Sequence, residues 1–432
     1  MRRLRSLFPT PLYFLLCVSA YTIARFFVTS GKSPVLLPDS IGYEVLHFWG
    51  ANTRFWSIPL AYAIADLNDN RVLLQSAIGC LAWTYLSYVI QSQSRFPRLI
   101  ITATFLVGLT PQVVRFDVAI LSESLGISFV VASVAAALQL SRHQNLLTWL
   151  VFLTTSTLAA FTRPTHLFIL FVPTALLLAR YIATRRKSPL LPLVAFLLLS
   201  LWGIQQLRGN APTSNLNFYT ILQQRIIKSD TEYKWFVEKG MPDIPGVRES
   251  RSYTFDYLLD ENVAKIVQLP IGQQPPIIIA NGGVSLAEWV RDHGWRTYFE
   301  FLREHPSHVV KQINRLVPPT LSPGNDKFLI LDSRTVMPRE VFGPWWLWAG
   351  LFSGSWMWAI LIGSQRRQAY MLMTMFLTGV LVFLTVILCS AVEIQRHASS
   401  VAVLLRVLAL AALALATSIR STARDESVDE AI

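Results

Sequence analysis

The sequence has few cysteines, few charges and none of the short motifs that mark common soluble enzymes. Its three cysteines, Cys17, Cys80 and Cys389, lie in apolar segments without paired spacing, which excludes a disulfide framework and a Cys-x-x-Cys metal site. The long polar region has no Gly-rich phosphate loop, no Ser-centred nucleophile elbow and no zinc signature. Charged residues make up only 15% of the chain. With these classes of site excluded, the apolar segments carry the main evidence on the fold.

The composition requires a lipid environment. A chain of 432 residues that is 53% hydrophobic, with a mean hydropathy of +0.43, has more apolar surface than one soluble core can hide. The net charge of +12 does not indicate a nucleic-acid partner, because the polar region 208–340 holds 16 Lys and Arg against 15 Asp and Glu. The positive excess therefore lies in short loops and tails, as in a polytopic membrane protein.

Apolar run length predicts an all-α bundle of about ten transmembrane helices. These are 7–28, 72–90, 98–114, 118–140, 146–162, 166–183, 189–207, 343–363, 369–391 and 398–419. The third is the weakest, since Pro111 and Gln112 fall within it. The chain then divides into an N-terminal transmembrane catalytic module, 1–207, with its first outer loop at 29–71, an extracytoplasmic insert, 208–342, C-terminal helices, 343–419, and a tail, 420–432.

Flanking charge sets the expected orientation. With both termini in the cytoplasm, 13 basic residues lie inside, among them Arg142 and Arg185, and six lie in short outer loops. The opposite orientation inverts that ratio. The basic start is followed by an apolar run without a small-x-small cleavage site, which favours a retained anchor. The expected location is the cell membrane, as a multi-pass protein of the bacterial inner membrane with its active site outside the cytoplasm.

The first outer loop carries the segment Pro38-Asp39-Ser40-Ile41-Gly42-Tyr43-Glu44. On a helix Asp39 and Tyr43 lie one turn apart and share a face, so they could frame a small polar substrate, while Glu44 points elsewhere. The alternative is that Asp39 only caps a short surface helix. The aromatic stretch 54–62 is too short to span a bilayer and is expected to lie along the outer membrane surface.

Ionisable residues within or beside membrane spans are costly and are therefore functional candidates. Asp117 and Glu123 open the fourth span, and Arg163 follows the fifth. Before the last span come Arg396 and His397, and Arg406 lies deeper in it. For Arg163 and Arg396 the alternative is interfacial snorkelling. All of these residues face the same side as Asp39 in the predicted topology. A single outward cavity could then hold acids and arginines suited to a sugar phosphate.

The insert shows weaker signals. A capping box, Ser285-x-x-Glu288, predicts the start of an amphipathic helix that ends near Pro306, and its apolar stripe is expected to pack against the membrane domain. His305 and His308 are three residues apart and could share a metal ion. A metal site needs at least three ligands, and none other is near, so the sequence favours solvated surface histidines.

These residues resemble the GT-C superfamily of membrane glycosyltransferases, which take sugars from polyprenyl-phosphate carriers. The Asp-x-x-x-Tyr of Asp39 and Tyr43 resembles the acidic motif of that superfamily's first outer loop. Leu-Ser-Glu-Ser-Leu, 121–125, is similar to its Ser/Thr-Glu-Ser motif, and Thr162-Arg163-Pro164 to its arginine turn. The match covers roughly 7–210, and protein mannosyltransferases and aminoarabinose transferases belong to the same broad group. Many relatives carry adjacent acids where Asp39 here precedes Ser40, so the use of a divalent metal ion stays open.

The resemblance implies transfer of one hexosyl or pentosyl residue from a polyprenyl-phosphate sugar to an extracytoplasmic acceptor, such as a cell-envelope glycan, lipid or protein. Asp39 is then expected to act as general base and Glu123 to orient the acceptor or bind a metal ion. The expected substrate-binding residues are Tyr43, Glu44, Asp117, Arg163, Arg396, His397 and Arg406. Two alternatives stay open. One is a transporter or lipid flippase, which often shows repeated halves that this sequence lacks. The other is a polymerase or ligase of envelope polysaccharide.

The charge bias generates a testable topology. Single cysteines introduced at Ser214 and Ser307 should react with a membrane-impermeant thiol reagent in intact cells or spheroplasts, because 208–342 is expected to lie outside. Labelling that appears only after permeabilisation contradicts the orientation.

Overall fold

The computed structural model describes most of the chain and is helical throughout the part described. The described residues are 10–48, 54–184, 190–209, 217–243, 283–322, 331, 333–362, 365–391 and 393–429. The basic N-terminus, Arg185, Ser214 and the centre of the insert lie outside them. Within these ranges the structure has no strand, and its β pairing is an isolated parallel bridge between Val35 and Ala119.

Seventeen α-helices are named below in chain order. They are α1 Thr10–Thr29, α2 Ser57–Ala63, α3 Asn68–Gln91, α4 Pro97–Gly108, α5 Pro111–Val114, α6 Glu123–Arg142, α7 Leu146–Ala160, α8 Phe168–Thr184, α9 Leu190–Gly209, α10 Asp230–Glu238, α11 Gly283–Trp289, α12 Trp295–Glu304, α13 Pro306–Leu321, α14 Trp345–Ile362, α15 Arg366–Cys389, α16 Ile394–His397 and α17 Ser399–Asp429. Short 3₁₀ turns at Pro38–Tyr43, Arg115–Val118 and Pro164–Leu167 interrupt them.

The polytopic all-α fold is confirmed. Seven helices in the described part of the chain are long and apolar enough to cross a membrane, and α4 with the segment Pro111–Val118 makes an eighth if this pair, bent by 52°, is one span. The bend falls where Pro111 interrupts the predicted third span, since proline cannot continue a helix without losing a backbone hydrogen bond. The remaining two predicted spans are also helical: α7 is short, with 15 residues, and α14 is rich in tryptophan.

Two helices form the centre of the bundle. The membrane-span window of α6 is 89% buried inside the protein and that of α17 is 83% buried, against 22% for α1 and 11% for Pro164–Thr184. Alanines on α17 keep that helix narrow, which lets its neighbours approach closely. The peripheral helices expose large apolar side chains such as Ile23 and Leu81, the surface that lipid covers.

A buried ion pair ties α1 to the segment that leads into α6. Arg25 donates from Nε and Nη2 to the two carboxylate oxygens of Asp117, at 2.8 and 3.0 Å, and both side chains are at most 1% exposed. Arg25 also donates to Tyr21, and Ser124 donates to Asp117 at 2.5 Å. Gly79 of α3 lies directly against the guanidinium, where a Cβ atom would come within 2.1 Å of it.

The aromatic stretch of the first loop packs against protein. The loop contains two short helices, the 3₁₀ turn Pro38–Tyr43 and α2, and the side chains of Phe55, Trp56 and Tyr62 are buried in protein. Trp56 stacks on Trp202 with the ring planes 14° apart.

The insert builds a core of its own. Phe218, Phe236, Trp289 and Tyr298 pack together, so the predicted apolar stripe serves mainly the insert, and Tyr298 also reaches the membrane helices by donating to the Leu388 carbonyl at 2.8 Å. The helix carrying that stripe begins at Gly283, and Ser285 lies inside it instead of capping it.

The prediction of solvated surface histidines is wrong for His308. This side chain is buried, and its Nδ1 lies 2.7 Å from Glu232 Oε1. The carboxylate explains the burial, because it gives a buried imidazole the polar partner that it needs.

The packing at Gly79 is testable. Gly79→Ala should lower stability in detergent by about 1–3 kcal/mol, because the new methyl group displaces a guanidinium that Asp117 holds in place. Thermal unfolding of the purified protein measures the change. Gly354→Ala is the control, since a Cβ atom there meets nothing within 4 Å. Equal unfolding temperatures for the two variants contradict the assignment.

Candidate functional site

A short extended segment, 118–122, brings the first loop against the start of α6. Val35 donates to the Val118 carbonyl at 2.8 Å, and Ile120 donates back to Val35 at 3.0 Å. Ser40 Oγ donates to the Ile120 carbonyl at 2.8 Å and Tyr62 to that of Leu121 at 2.7 Å. Because buried carbonyls need partners, these bonds fix the segment without a sheet. They place Asp39, next to Ser40, close to Glu123.

Asp39 lies in the 3₁₀ turn Pro38–Tyr43 and bridges two arginines. Its carboxylate accepts from Arg54 at 2.7 Å and from Arg396 at 2.6 Å, although the two arginines are far apart in sequence. The carboxylate is 35% exposed, whereas the Arg396 side chain is only 6% exposed. Asp39 therefore forms the open side of the site.

Glu123 is the buried acid of the site. It is the first residue of α6, a position where the helix dipole favours a negative charge, and its side chain is 1% exposed. One of its oxygens, Oε1, pairs with Arg163 and lies 3.1 Å from Nε of Arg396. Its second oxygen, Oε2, is buried without a hydrogen-bond partner among the described residues. This oxygen can therefore accept a hydrogen bond from a donor group of a ligand.

The loop before α17 holds Arg396 from the other side. Glu393 has a φ of 51°, the left-handed region that residues other than glycine seldom adopt, and its carboxylate lies 3.1 Å from Arg396. Strain of this kind collects at functional sites. The loop is anchored by Arg225 of the insert, which donates to the carbonyls of Leu388 and Ser390 at the end of α15.

These six residues, Asp39, Glu123, Glu393, Arg54, Arg163 and Arg396, are called here the acid–arginine cluster. It lies at one end of the bundle. The opposite end is marked by Arg142, which closes α6 about 30 Å away and donates to Ser92.

The arginines control the charge state of the cluster's open side. Burial opposes ionisation of Asp39, but the charges of Arg54 and Arg396 outweigh it and hold the pKa of that carboxyl well below its usual range. Burial likewise opposes the charge of Arg396, and the carboxylates of Glu123 and Asp39 more than compensate, so its pKa is raised. Burial, with Arg163 and Arg396 nearby, holds the pKa of His397 well below 6.5 and keeps this imidazole neutral.

The other residues predicted from the sequence lie at different distances from the cluster. His397 touches it, because its carbonyl accepts from Arg163 at 3.3 Å and its Nδ1 lies 3.0 Å from Ser390 Oγ. Tyr43 is buried beneath Arg54, whose guanidinium lies 5.0 Å from the ring centre. Glu44 is exposed. Hence only His397 and Tyr43 adjoin the six charges.

Asp117 and Arg406 have other partners. The contacts of Asp117 are Arg25 and Ser124, so the structure uses it to join α1 to α6. Arg406 donates to the carbonyls of Phe342, Gly343 and Ala402 at 3.1, 2.8 and 2.9 Å, and it does not pair with Glu123. Their predicted contacts with substrate stay predictions.

Two members of the cluster were missed by sequence reasoning as site residues. Arg54 stands in a loop of the first outer region, and Glu393 stands three residues before Arg396. The signal for Glu393 was present, because a glutamate and an arginine three residues apart can pair across one helical turn. Nothing in the sequence indicated that Arg54 reaches Asp39.

The carboxylates of the cluster do not form a set of metal ligands. Asp39, Glu123 and Glu393 all point at the guanidinium of Arg396. In the part of the chain that the structure describes, no group of three or more His, Cys, Asp or Glu side chains is placed to hold a metal ion. The charge at the centre of the site is therefore the guanidinium of Arg396.

An apolar cavity lies inside the bundle beside the cluster. Its nearer end adjoins His166, three residues after Arg163, and Ser400, four residues after Arg396. On α6 its first lining residue, Val130, lies about 10 Å along the helix from Glu123. The remaining lining residues are Ser133, Val134, Phe152, Ser156, Ile169, Pro173, Met371, Thr374, Met375, Thr378, Gly379, Val382, Val401 and Leu404. The cavity thus runs from the charged end toward the middle of the bundle.

Comparison with known proteins assigns no family. No family model matches the chain, and no curated protein matches it in sequence. Among solved structures it is similar to the archaeal oligosaccharyltransferase AglB from Archaeoglobus fulgidus, determined in complex with an inhibitory peptide and a dolichol-phosphate, with a TM-score of 0.43 and 12% identity. The match covers 97% of this chain and 52% of the other, so the chain spans about half the length of that structure.

The lowered pKa of the half-buried His397 predicts a pH dependence of stability. The unfolded chain takes up a proton below pH 6.5 that the folded protein does not, so stability should fall on acidification by up to about 1.4 kcal/mol per pH unit. Asp39 does not interfere, because a lowered carboxyl pKa costs stability only below about pH 4. Chemical unfolding between pH 7 and pH 5 should show a shallower slope for His397→Gln than for the parent protein. Parallel slopes contradict the neutral imidazole.

Proposed function

We propose that the protein is a membrane glycosyltransferase that moves one sugar from a polyprenyl-phosphate donor to an extracytoplasmic acceptor, such as a glycan, lipid or protein of the cell envelope. The observation that carries the proposal is the acid–arginine cluster beside an apolar cavity. It offers two kinds of surface to a single ligand, one charged and one apolar.

The charged surface suits a phosphate at the end of a lipid. Arg163 and Arg396 present planar guanidinium groups, which bind phosphate oxygens in a two-pronged way that lysine does not match. Both arginines are mostly buried, with side chains 14% and 6% exposed, and a phosphate bound there is poorly screened by water.

The apolar surface suits the isoprenoid tail. The cavity starts beside His166 and Ser400, and its lining residue Met371 lies about 27 Å along α15 from Cys389 at the cluster end. A chain of isoprene units that enters this cavity stays at the depth of the lipid tails while its phosphate remains with the arginines. This fit favours a lipid-linked donor over a free sugar phosphate.

Asp39 and Glu123 have different roles in the transfer step. Asp39 removes the proton of an acceptor hydroxyl, and Glu123 orients the acceptor molecule by accepting a hydrogen bond from a second donor group of it through Oε2. The hydroxyl oxygen then bonds to the sugar's anomeric carbon. As this bond forms, the bond from that carbon to the phosphate oxygen breaks, and the polyprenyl phosphate leaves with the electron pair. Arg163 and Arg396 stabilise the charge that develops on the leaving phosphate.

The position of the cluster favours transfer over transport. A transporter usually places its polar site near the bilayer midplane, at an interface between repeats. Here both acids stand at one end of the bundle, Glu123 at the first residue of α6 and Asp39 in the loop before α2. A ligand there reacts at the membrane surface and need not cross.

The arginines test the phosphate site. Arg163→Lys and Arg396→Lys should each weaken binding of a short-chain polyprenyl phosphate by about tenfold or more, because lysine cannot make two parallel contacts to one phosphate. Binding is measured with the purified protein in nanodiscs at low salt. Arg303→Lys is the matched control, since that arginine is 78% exposed and lies in the insert. If both cluster variants bind the lipid like the control, the phosphate site is misplaced and the transporter alternative gains support.

A further inference from the structure

The acid–arginine cluster balances its own charge. It contains three carboxylates, Asp39, Glu123 and Glu393, and three guanidinium groups, Arg54, Arg163 and Arg396. A phosphodiester or phosphate monoester adds at least one negative charge. A site of net zero charge holds an added anion well only if one of its own anions withdraws from the arginines.

Exposure identifies the anion that can withdraw. The side chain of Glu123 is 1% exposed at the buried start of α6. If it separated from the arginines, its charge would stay buried without a partner, which is costly. Glu393 is 25% exposed and is held by a backbone that already has positive φ. Asp39 is 35% exposed and touches Arg54 and Arg396 from the solvent side. Of the three carboxylates, Asp39 can therefore move from the arginines into water at the lowest free-energy cost.

We infer that Asp39 occupies the donor's phosphate position in the empty site and that the incoming phosphate displaces it from Arg396 and Arg54. This inference rests on the proposed function, since it names the carrier phosphate as the displacing anion. The displacing ligand is an anion on a lipid, with at least two free oxygens. Because this anion has to displace Asp39, the donor binds before the acceptor hydroxyl is activated.

The exchange also explains how Asp39 can act as a base. Paired with two arginines it attracts protons poorly, because both positive charges favour its ionised form. Once the phosphate takes over those guanidinium groups, Asp39 loses their stabilisation and its affinity for a proton rises. The acceptor hydroxyl then gives its proton to a carboxylate that is strong enough to take it only when the donor is in place. Donor arrival thereby switches on acceptor activation.

If Asp39 competes with the phosphate, its loss should have opposite effects on ligand binding and on turnover. Removing the competing charge by Asp39→Asn should tighten binding of a short-chain polyprenyl phosphate by about tenfold, and Asp39→Ala should tighten it at least as much. Turnover of a polyprenyl-phosphate sugar should nevertheless fall by about 10²–10⁴-fold, the usual contribution of a positioned base. The full-length protein in nanodiscs is used for both measurements, at pH 7 and low salt.

Asp69→Asn is the control for a general change in surface charge. Asp69 is an exposed acid in the first turn of α3 and lies outside the cluster, so its loss should leave affinity within about twofold. If the parent protein binds the lipid and both Asp39 variants bind it no more tightly, Asp39 does not occupy the phosphate position and the inference fails. If neither the parent nor the Asp39 variants bind the lipid, it is the proposed function that fails.

Discussion

Burial of charge in a membrane protein is the constraint on which this structure depends. A charged side chain away from water needs a partner of opposite sign, and the chain must bend to supply it. Two such groupings stand side by side at the start of α6. Ser124 reaches the Arg25–Asp117 pair, while its neighbour Glu123 reaches Arg163 and Arg396. The segment 118–122 lies between the two groupings. Its carbonyls accept hydrogen bonds from Val35, Ser40 and Tyr62, and these bonds keep both groupings in place.

The two groupings differ in how many of their polar atoms already have a partner. Asp117 has both carboxylate oxygens bonded to Arg25 and is fully buried, so this pair is closed and leaves no atom for a ligand. The acid–arginine cluster is open on one side through Asp39, and Oε2 of Glu123 has no partner among the described residues. The first grouping is thus a closed clamp, whereas the second contains polar atoms that a ligand could still satisfy.

The sequence predicted the convergence of Asp39, Glu123, Arg163 and Arg396, because helix ends that share a side of the membrane also share a neighbourhood. It did not predict which charges pair. Arg25 lies within the first span, 92 residues from Asp117, and only tertiary packing brings them together. Arg54 was missed because hydropathy does not encode the path of a loop. For the same reason the burial of Phe55, Trp56 and Tyr62 in protein could not be predicted from the sequence.

The insert and the site share one stretch of backbone. Arg225 donates to the carbonyls of Leu388 and Ser390, and Ser390 Oγ in turn lies 3.0 Å from Nδ1 of His397. The same short loop carries Arg396, whose position Glu393 secures from a left-handed backbone. In the proposed exchange of a carboxylate for a phosphate, the Arg396 guanidinium has to stay in place while its partners change. The insert anchors this loop, since the bonds of Arg225 hold the end of α15 without using any charge of the acid–arginine cluster.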